Sequence, residues 1–200
     1  MDQKNRILLL ISNIPDALEP IEVYPSERQK EIEACANERV RLEKYYAWSI
    51  LLSGLSDFLG DDAANVAFYK NENGKWHCNS CSFSLSHSDG VVAVAISQQN
   101  VGVDIENVKR HRNGIERVIF SESEQNALFT VDESLRESFI IKKWTQKESV
   151  FKTLDKNRFV PSLIDPTEYT VWTEKIDLCD KRFFVSVCAD DVTMVDMKII

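Results

Sequence analysis

The sequence predicts an α+β protein made of two similar halves, and three features of the chain support this. The 200 residues suit one large domain or two small ones. In each half, a region of helical periodicity precedes several segments of strand-like alternation. No low-complexity linker separates the halves, so residues 1–98 and 99–200 are expected to pack as one body, each with helices on a small, mostly antiparallel sheet.

The first half begins with a buried strand and continues with a long helical region. RILLLIS (6–12) is a short apolar run of the strand type. After Pro25, the segment 26–60 is helical for most of its length, and Gly60 lies where a C-terminal glycine is expected. The turn signal NENGK (71–75) separates this helix from short strands around VAFYK, CSFSLS and VVAVAIS.

The second half opens with VGVDIE (101–106), and the intervening SQQN (97–100) predicts a hairpin between this segment and VVAVAIS. Two helical stretches follow, SESEQNALF and the longer SLRESFIIKKWTQKESVFKTL. From Glu168 onward the chain alternates in strand fashion, in EYTVWTE, RFFVSVCA and TMVDMKI.

Composition excludes several classes of partner. The net charge of −8 provides no basic field for nucleic acid or an anionic membrane, so an anionic ligand needs a local basic site. The N-terminal apolar run is too short for a signal peptide or a membrane span. Five scattered cysteines without a secretory signal predict reduced thiols in a cytoplasmic protein, and the lone C-x-x-C of Cys78 and Cys81 favours a structural role over zinc.

Two acidic residues lie on one face of the strand predicted for VGVDIE. Strand alternation points Val101, Val103 and Ile105 one way and Asp104 and Glu106 the other, with the two acids about 7 Å apart along the strand. Gly102, on the acidic face, is expected to leave room for a ligand. The alternative is an amphipathic strand whose polar face lies in water.

A third acid, Glu148, occupies a helix stripe that is otherwise apolar and aromatic, with Ile141, Trp144 and Phe151. The alternative reading is a plain helix ion pair between Glu148 and Lys152. Taken together with the strand acids, Glu148 predicts an oxygen site for Mg²⁺, with Lys147 and Lys152 facing the anion that the metal recruits.

These residues also resemble a known family, the 4′-phosphopantetheinyl transferase superfamily. Its paired signature is G-(V/I)-D followed by (F/W)-(S/T/C)-x-K-E-(A/S)-x-x-K, and Glu148 follows Glu106 after 42 positions. The second pattern is filled by Trp144, Thr145, Lys147, Glu148, Ser149 and Lys152. F-S-L-S-H-S (83–88) and F-S-E-S-E (120–124) resemble further segments of the longer, surfactin-synthetase-activating type, which implies a monomer with two halves related by a pseudo-twofold axis.

The resemblance implies transfer of the phosphopantetheine arm of coenzyme A to a serine of an apo acyl or peptidyl carrier protein, with release of adenosine 3′,5′-bisphosphate. It assigns Asp104, Glu106 and Glu148 to Mg²⁺, with Glu148 also accepting the serine proton and Lys152 neutralising phosphate charge. The alternatives are a non-catalytic paralogue that binds coenzyme A or a carrier protein, and an unrelated metal-dependent phosphohydrolase, for which three histidines are too few.

The same resemblance implies which residues contact coenzyme A. Ser86 and His87 match a pair that contacts the 3′-phosphate, although a hydrogen-bonded strand histidine is the alternative for His87. Lys75 matches a lysine near the adenine nucleotide, and Arg28 and Arg41 match basic residues that reach the 3′-phosphate. Two departures bear on the nucleotide contacts: Trp76 replaces the usual proline, and Ser49 replaces an arginine.

Lys142, Lys143 and Lys147 are expected to form a local basic patch to which the carrier protein docks. The alternative is that these lysines form an ordinary solvated helix face and the carrier protein docks through other contacts. Which carrier protein is used, and in which pathway, does not follow from the sequence.

Overall fold

The computed structural model describes residues 5–15, 25–109, 114–154 and 156–200, and within them it confirms the predicted mixture of helices and sheets. The α-helices are α1 (Ser26–Glu33), α2 (Glu38–Leu59), α3 (Glu116–Ile119), α4 (Glu122–Thr130) and α5 (Arg136–Thr153). The strands are β1 (Arg6–Asn13), β2 (Phe68–Lys70), β3 (Trp76–Cys78), β4 (Ser82–Ser88), β5 (Val91–Ser97), β6 (Gly102–Asn107), β7 (Val171–Leu178), β8 (Lys181–Cys188) and β9 (Met194–Ile199).

The first sheet has the strand order β4-β5-β1-β9, and only the β1–β9 pair in it is parallel. Strand β1 is buried on both faces, which explains the continuous apolar run RILLLIS. Leu8 and Leu10 pack with Trp48 of α2 in one core, whereas Ile7 and Leu9 belong to a second core on the opposite face. The long helix therefore covers one face of this sheet and leaves the other face to the second half of the chain.

The second sheet has the strand order β6-β8-β7, and α5 packs on β6 and β8. Val103 and Ile105 of β6 enter the second core together with Phe183 and Val185 of β8. This core lies between the two sheets and joins the halves. Strand β9, from the end of the chain, pairs with β1 in the first sheet. The division at residue 98 and the pseudo-twofold axis stay predictions.

The predicted hairpin across SQQN is wrong. Strand β5 lies between β4 and β1 in the first sheet, so both of its edges are already hydrogen-bonded. Strand β6 pairs with β8 in the other sheet instead. The four residues of SQQN therefore carry the chain from one sheet to the other.

The helix-opening segment F-S-E-S-E forms a capping box at the start of α4. Ser121 accepts a hydrogen bond from the backbone N–H of Glu124, and the Glu124 side chain accepts one from the Ser121 N–H. Phe120 is buried beside Ile119 and Ile140, so the segment also anchors α4 to α5. None of the helices in the described ranges has the length and apolar composition that a membrane span requires.

Candidate active site

The three predicted acids come together where α5 crosses β6. Asp104 is 1% exposed, and Asp104, Glu106 and Glu148 each offer a carboxylate oxygen that lies within 4.8 Å of the other two. Strand alternation directs Asp104 and Glu106 toward α5, as expected from the sequence. Since Asp104 is buried, the alternative of a polar strand face in water is wrong.

Gly102 makes this crossing possible, because a Cβ at this position would lie 2.0 Å from the carbonyl oxygen of Ser149 and 3.1 Å from the Cβ of Lys152. The expectation that Gly102 leaves room for a ligand is therefore wrong: the backbone of α5 fills that space. The close approach brings Glu148, which precedes Ser149, and Lys152, which follows it by three residues, next to the strand acids.

Lys152 is bound to the strand and not to its helix neighbour. Its ammonium donates to Oδ1 of Asp104 at 2.9 Å and to the Val103 carbonyl at 2.9 Å. Burial alone would lower the pKa of Lys152, but the charges of Asp104 and Glu148 outweigh it and raise that pKa. The plain Glu148–Lys152 ion pair is therefore not the arrangement that the structure adopts.

The clustered carboxylates are costly to ionise together. Burial, followed by the charge of Asp104, raises the pKa of Glu148 to about 8. The same two causes raise the pKa of Glu106 above its ordinary value. A cation placed among the three acids would relieve both effects, because it favours the charged form of each carboxylate.

The donor set fits a divalent cation. All three groups offer hard oxygen ligands, which Mg²⁺ prefers to nitrogen or sulfur. Oδ2 of Asp104 is buried and has no hydrogen-bond partner among the described residues. A buried carboxylate oxygen normally has a partner, so this oxygen is available to a metal ion.

A cleft of about 420 Å³ lies beside the acids, between the β2–β3 turn, β4 and the end of α5. Three of the residues predicted to contact coenzyme A line it, namely Arg28, Lys75 and Lys152. Lys75 donates a hydrogen bond to the Lys152 carbonyl, which ties the turn to α5. Lys156, which the sequence did not single out, lines the same cleft.

Arg28 is held at the edge of this cleft by an aromatic ring. Its guanidinium lies 4.9 Å from the ring centroid of Trp48 and pairs with Glu31 at 3.3 Å. Burial lowers the pKa of Arg28. Nε of Arg28 is buried without a hydrogen-bond partner in the described part of the chain, so it retains a donor for a ligand.

The other predicted contacts lie outside the lining of the cleft. Ser86 is buried and donates to Oδ1 of Asp104 at 2.7 Å. Nδ1 of His87 lies 2.9 Å from Oε2 of Glu43, as in a hydrogen-bonded strand histidine, and burial, together with the charge of Lys152, lowers the pKa of His87 despite this contact. Arg41 lies on α2, 4.0 Å from Glu38. Their assignment to nucleotide binding stays a prediction.

Lys147 is buried and cannot contribute to a surface patch. Its ammonium pairs with Glu124 at 2.7 Å and donates to the carbonyls of Pro161 and Ile164 at 2.9 and 2.7 Å. The expectation that Lys147 faces an anion or a carrier protein is wrong. The acid of this pair belongs to the F-S-E-S-E segment, in which Glu124 follows the buried Phe120 by four positions.

The thiols of Cys78 and Cys81 lie together at the end of β3, with their sulfurs 3.6 Å apart. Their hydrogen bond lowers the pKa of Cys78 to about 6. Cys78 is buried in the core under α2, away from the three acids.

Comparison with known proteins agrees with the resemblance found in the sequence. Residues 100–191, which contain all three acids, match the model of the 4′-phosphopantetheinyl transferase superfamily. The chain is 36% identical over 98 residues to the 4′-phosphopantetheinyl transferase gsp of Aneurinibacillus migulanus, covering 48% of this chain and 41% of the relative. It is 27% identical over 136 residues to the 4′-phosphopantetheinyl transferase Sfp of Bacillus subtilis, covering 58% and 61%. The matched region thus spans less than two thirds of either relative.

Proposed function

We propose that this chain, whose residues 100–191 match the model of the 4′-phosphopantetheinyl transferase superfamily, transfers 4′-phosphopantetheine from coenzyme A to a serine of an apo acyl or peptidyl carrier protein. The observation that carries the proposal is the cluster of Asp104, Glu106 and Glu148 beside a cleft lined by cations. Acids for a metal and cations for phosphates are the parts that phosphoryl transfer requires.

Asp104, Glu106 and Glu148 would hold Mg²⁺ in this proposal. When bound, the ion neutralises charge on the pyrophosphate of coenzyme A. Within the described ranges, Lys152 is the one lysine whose ammonium pairs with any of the three acids. The cluster therefore keeps an excess of negative charge that a divalent cation can balance.

Glu148 is the proposed general base. The serine oxygen forms a bond to the phosphorus that carries pantetheine, and the bond from that phosphorus to the oxygen of the adenosine 3′,5′-bisphosphate leaving group breaks. The serine proton passes to Glu148, directly or through a water. Burial raises the pKa of Glu148 to about 8 in the metal-free chain, and a cation held by the three acids would lower that pKa and keep Glu148 ionised, as a proton acceptor must be.

Lys152 is proposed to neutralise the phosphate that is attacked. Its neighbours raise its pKa, so it keeps its charge at neutral pH. Lys152 lines the cleft, and its ammonium is anchored to Val103 and Asp104. The cation is therefore already oriented before a ligand arrives, which reduces the cost of reorganisation.

The cleft is proposed to hold the nucleotide part of coenzyme A. Arg28, Lys75, Lys152 and Lys156 supply a local basic site in a chain of net charge −8. Ser86, His87 and Arg41 are kept as proposed contacts of the 3′-phosphate, beyond the cleft itself.

The proposal includes an arrangement of halves 1–98 and 99–200 about a pseudo-twofold axis. A helix on a sheet in each half supports it, since α2 packs on the first sheet and α5 on the second. A monomer in the cytoplasm is the expected state, and it rests on the sequence resemblance and the scattered cysteines alone.

The test is the intact mass of an apo carrier protein after incubation with this chain, coenzyme A and Mg²⁺. We expect a gain of one phosphopantetheinyl group that is abolished by EDTA and by Glu148→Gln or Asp104→Ala. Glu174→Gln, which changes an exposed acid on β7, is the matched control and keeps activity. No gain with fatty-acid, polyketide and peptide carriers, while coenzyme A still binds, would establish a non-catalytic paralogue instead.

A further inference from the structure

Every second residue of β4 is a serine, and the four hydroxyls form a row along β6. The backbone N–H groups of Val101, Val103, Ile105 and Asn107 donate to Ser82, Ser84, Ser86 and Ser88 at 3.3, 3.0, 3.3 and 3.3 Å. Strands β4 and β6 belong to different sheets, so no backbone ladder joins them. The serine row therefore satisfies the edge of β6 that β8 does not cover.

A serine hydroxyl that accepts a backbone N–H still has its own proton to donate. Ser86 donates this proton to Oδ1 of Asp104 at 2.7 Å, and Ser88 donates to Oε2 of Glu106 at 2.6 Å. Hydrogen bonds this short to a carboxylate are of the strong, charge-assisted kind. Among the described residues, Ser82 and Ser84 have no carboxylate partner. The row thus has two members that reach the acids and two that do not.

Each of the two serines binds β6 twice, once at a backbone N–H and once at a carboxylate oxygen. Ser86 binds the N–H of Ile105, which directly follows Asp104 in β6, and it also binds the carboxylate of Asp104. Ser88 does the same with the N–H of Asn107 and the carboxylate of Glu106. Side-chain rotation of either acid would break a strong hydrogen bond.

This restraint matters because the acids repel one another. Like charges within 4.8 Å drive carboxylates apart unless something holds them, and the repulsion from Asp104 contributes to the raised pKa of Glu106. Ser86 and Lys152 both bind Oδ1 of Asp104, whereas Oδ2 has no hydrogen-bond partner in the part of the chain that the structure describes. The serines therefore preserve the spacing that a shared cation needs.

We propose that Ser86 and Ser88 are positioning residues that hold Asp104 and Glu106 in metal-binding geometry, so that a strand of the first sheet sets the metal affinity of a site on the second. The inference rests on the proposed metal site, and it gives Ser86 a role that does not require contact with a nucleotide.

Direct Mn²⁺ binding by calorimetry, on the full chain without coenzyme A or a carrier protein, tests this role. Ser86→Ala and Ser88→Ala are expected to weaken Mn²⁺ binding about 10–100-fold, the range typical of groups that orient metal ligands. Ser82→Ala loses the same kind of N–H acceptor but no carboxylate contact, so its affinity should stay within about twofold of the unmodified chain. Ser86→Thr and Ser88→Thr keep the hydroxyl and should restore most of the affinity.

Urea unfolding of the metal-free proteins distinguishes a positioning role of the serines from a general loss of folding stability. If the three alanine variants lose similar stability and only Ser86→Ala and Ser88→Ala lose Mn²⁺ affinity, the positioning role is established. Unchanged Mn²⁺ affinity in both variants, or an equal loss in Ser82→Ala, would overturn it and leave the proposed function intact.

Two further outcomes separate the inference from the function. Failure of the unmodified chain to bind Mn²⁺ would overturn both the metal site and the inference. Serine-dependent Mn²⁺ binding without phosphopantetheine transfer would support the inference and refute the proposed activity.

Discussion

Replacing Glu148 by glutamine should stabilise the metal-free protein and weaken its binding of Mg²⁺. The carboxylate is half-buried beside Asp104 and Glu106, and these surroundings raise its pKa from 4.5 to about 8. A glutamine has nearly the same shape but never ionises. The variant therefore removes the cost of placing a third charge in the cluster.

The sign follows from proton binding. The folded chain holds the Glu148 proton up to about pH 8, whereas the unfolded chain releases it near pH 4.5. Between these pH values the folded state binds more protons, so its free energy of unfolding falls as the pH rises. The shift corresponds to at most about 5 kcal/mol above pH 8, and solvent access to this half-buried group reduces that to roughly 2–4 kcal/mol.

Urea unfolding at pH 5 and pH 9 measures this effect, with EDTA for the metal-free state and with Mg²⁺ and no EDTA for the metal-bound state. Metal-free Glu148→Gln should exceed the unmodified protein by less than about 1 kcal/mol at pH 5 and by about 2–4 kcal/mol at pH 9. Mg²⁺ at 100 times its dissociation constant should stabilise the unmodified protein by about 2.7 kcal/mol and the variant far less.

Glu174→Gln is the control, because it removes an exposed carboxylate on β7 and should leave both quantities unchanged. The reasoning would be refuted if Glu148→Gln were no more stable than the unmodified protein at pH 9, or if Mg²⁺ stabilised both proteins equally.

Three further substitutions test the packing of α5 on β6, the buried Lys147–Glu124 pair and the role of Cys78. Gly102→Ala places a Cβ 2.0 Å from a backbone oxygen of α5, so it should cost about 1–3 kcal/mol in urea unfolding and weaken Mn²⁺ binding. In the control Gly54→Ala the new Cβ meets only side chains, and this variant should keep its Mn²⁺ affinity. Equal Mn²⁺ affinities in the two variants would contradict the reasoning. Lys147→Met leaves Glu124 without its buried partner and should cost about 3–5 kcal/mol in the same assay, and a loss below about 1 kcal/mol would show that the pair is unimportant. Cys78→Ser should leave transfer to a carrier protein unchanged by intact mass, and lost transfer would assign this thiol a role in activity.

Much of the candidate site could be predicted because it depends on local periodicity. The alternation of side chains along a strand sets Asp104 and Glu106 on one face, whatever that face meets. The repeat of a helix sets Glu148 on a stripe with Trp144 in the same way. The family signature then supplied the spacing in sequence between the two segments, so the clustering of the three acids could be expected from the sequence.

The errors concern what each face meets. The sequence contained SQQN as a plausible turn, but whether two strands pair depends on which edges other strands already occupy. Gly102 reads as an open position next to the acids until the carbonyl of Ser149 is found there. Lys147 reads as a surface lysine until Glu124, 23 residues earlier, is found beside it.

The sequence by itself determined the class of fold, the strand and helix that carry the acids, and the family signature, because these follow from side-chain spacing within single segments. Only the tertiary structure decided the partners of the site. Ser86 and Asp104 lie 18 residues apart on strands of different sheets, and their hydrogen bond exists because those sheets share a core. Contacts of this kind depend on how distant segments pack, and the periodicity of one segment carries no information about the surface of another.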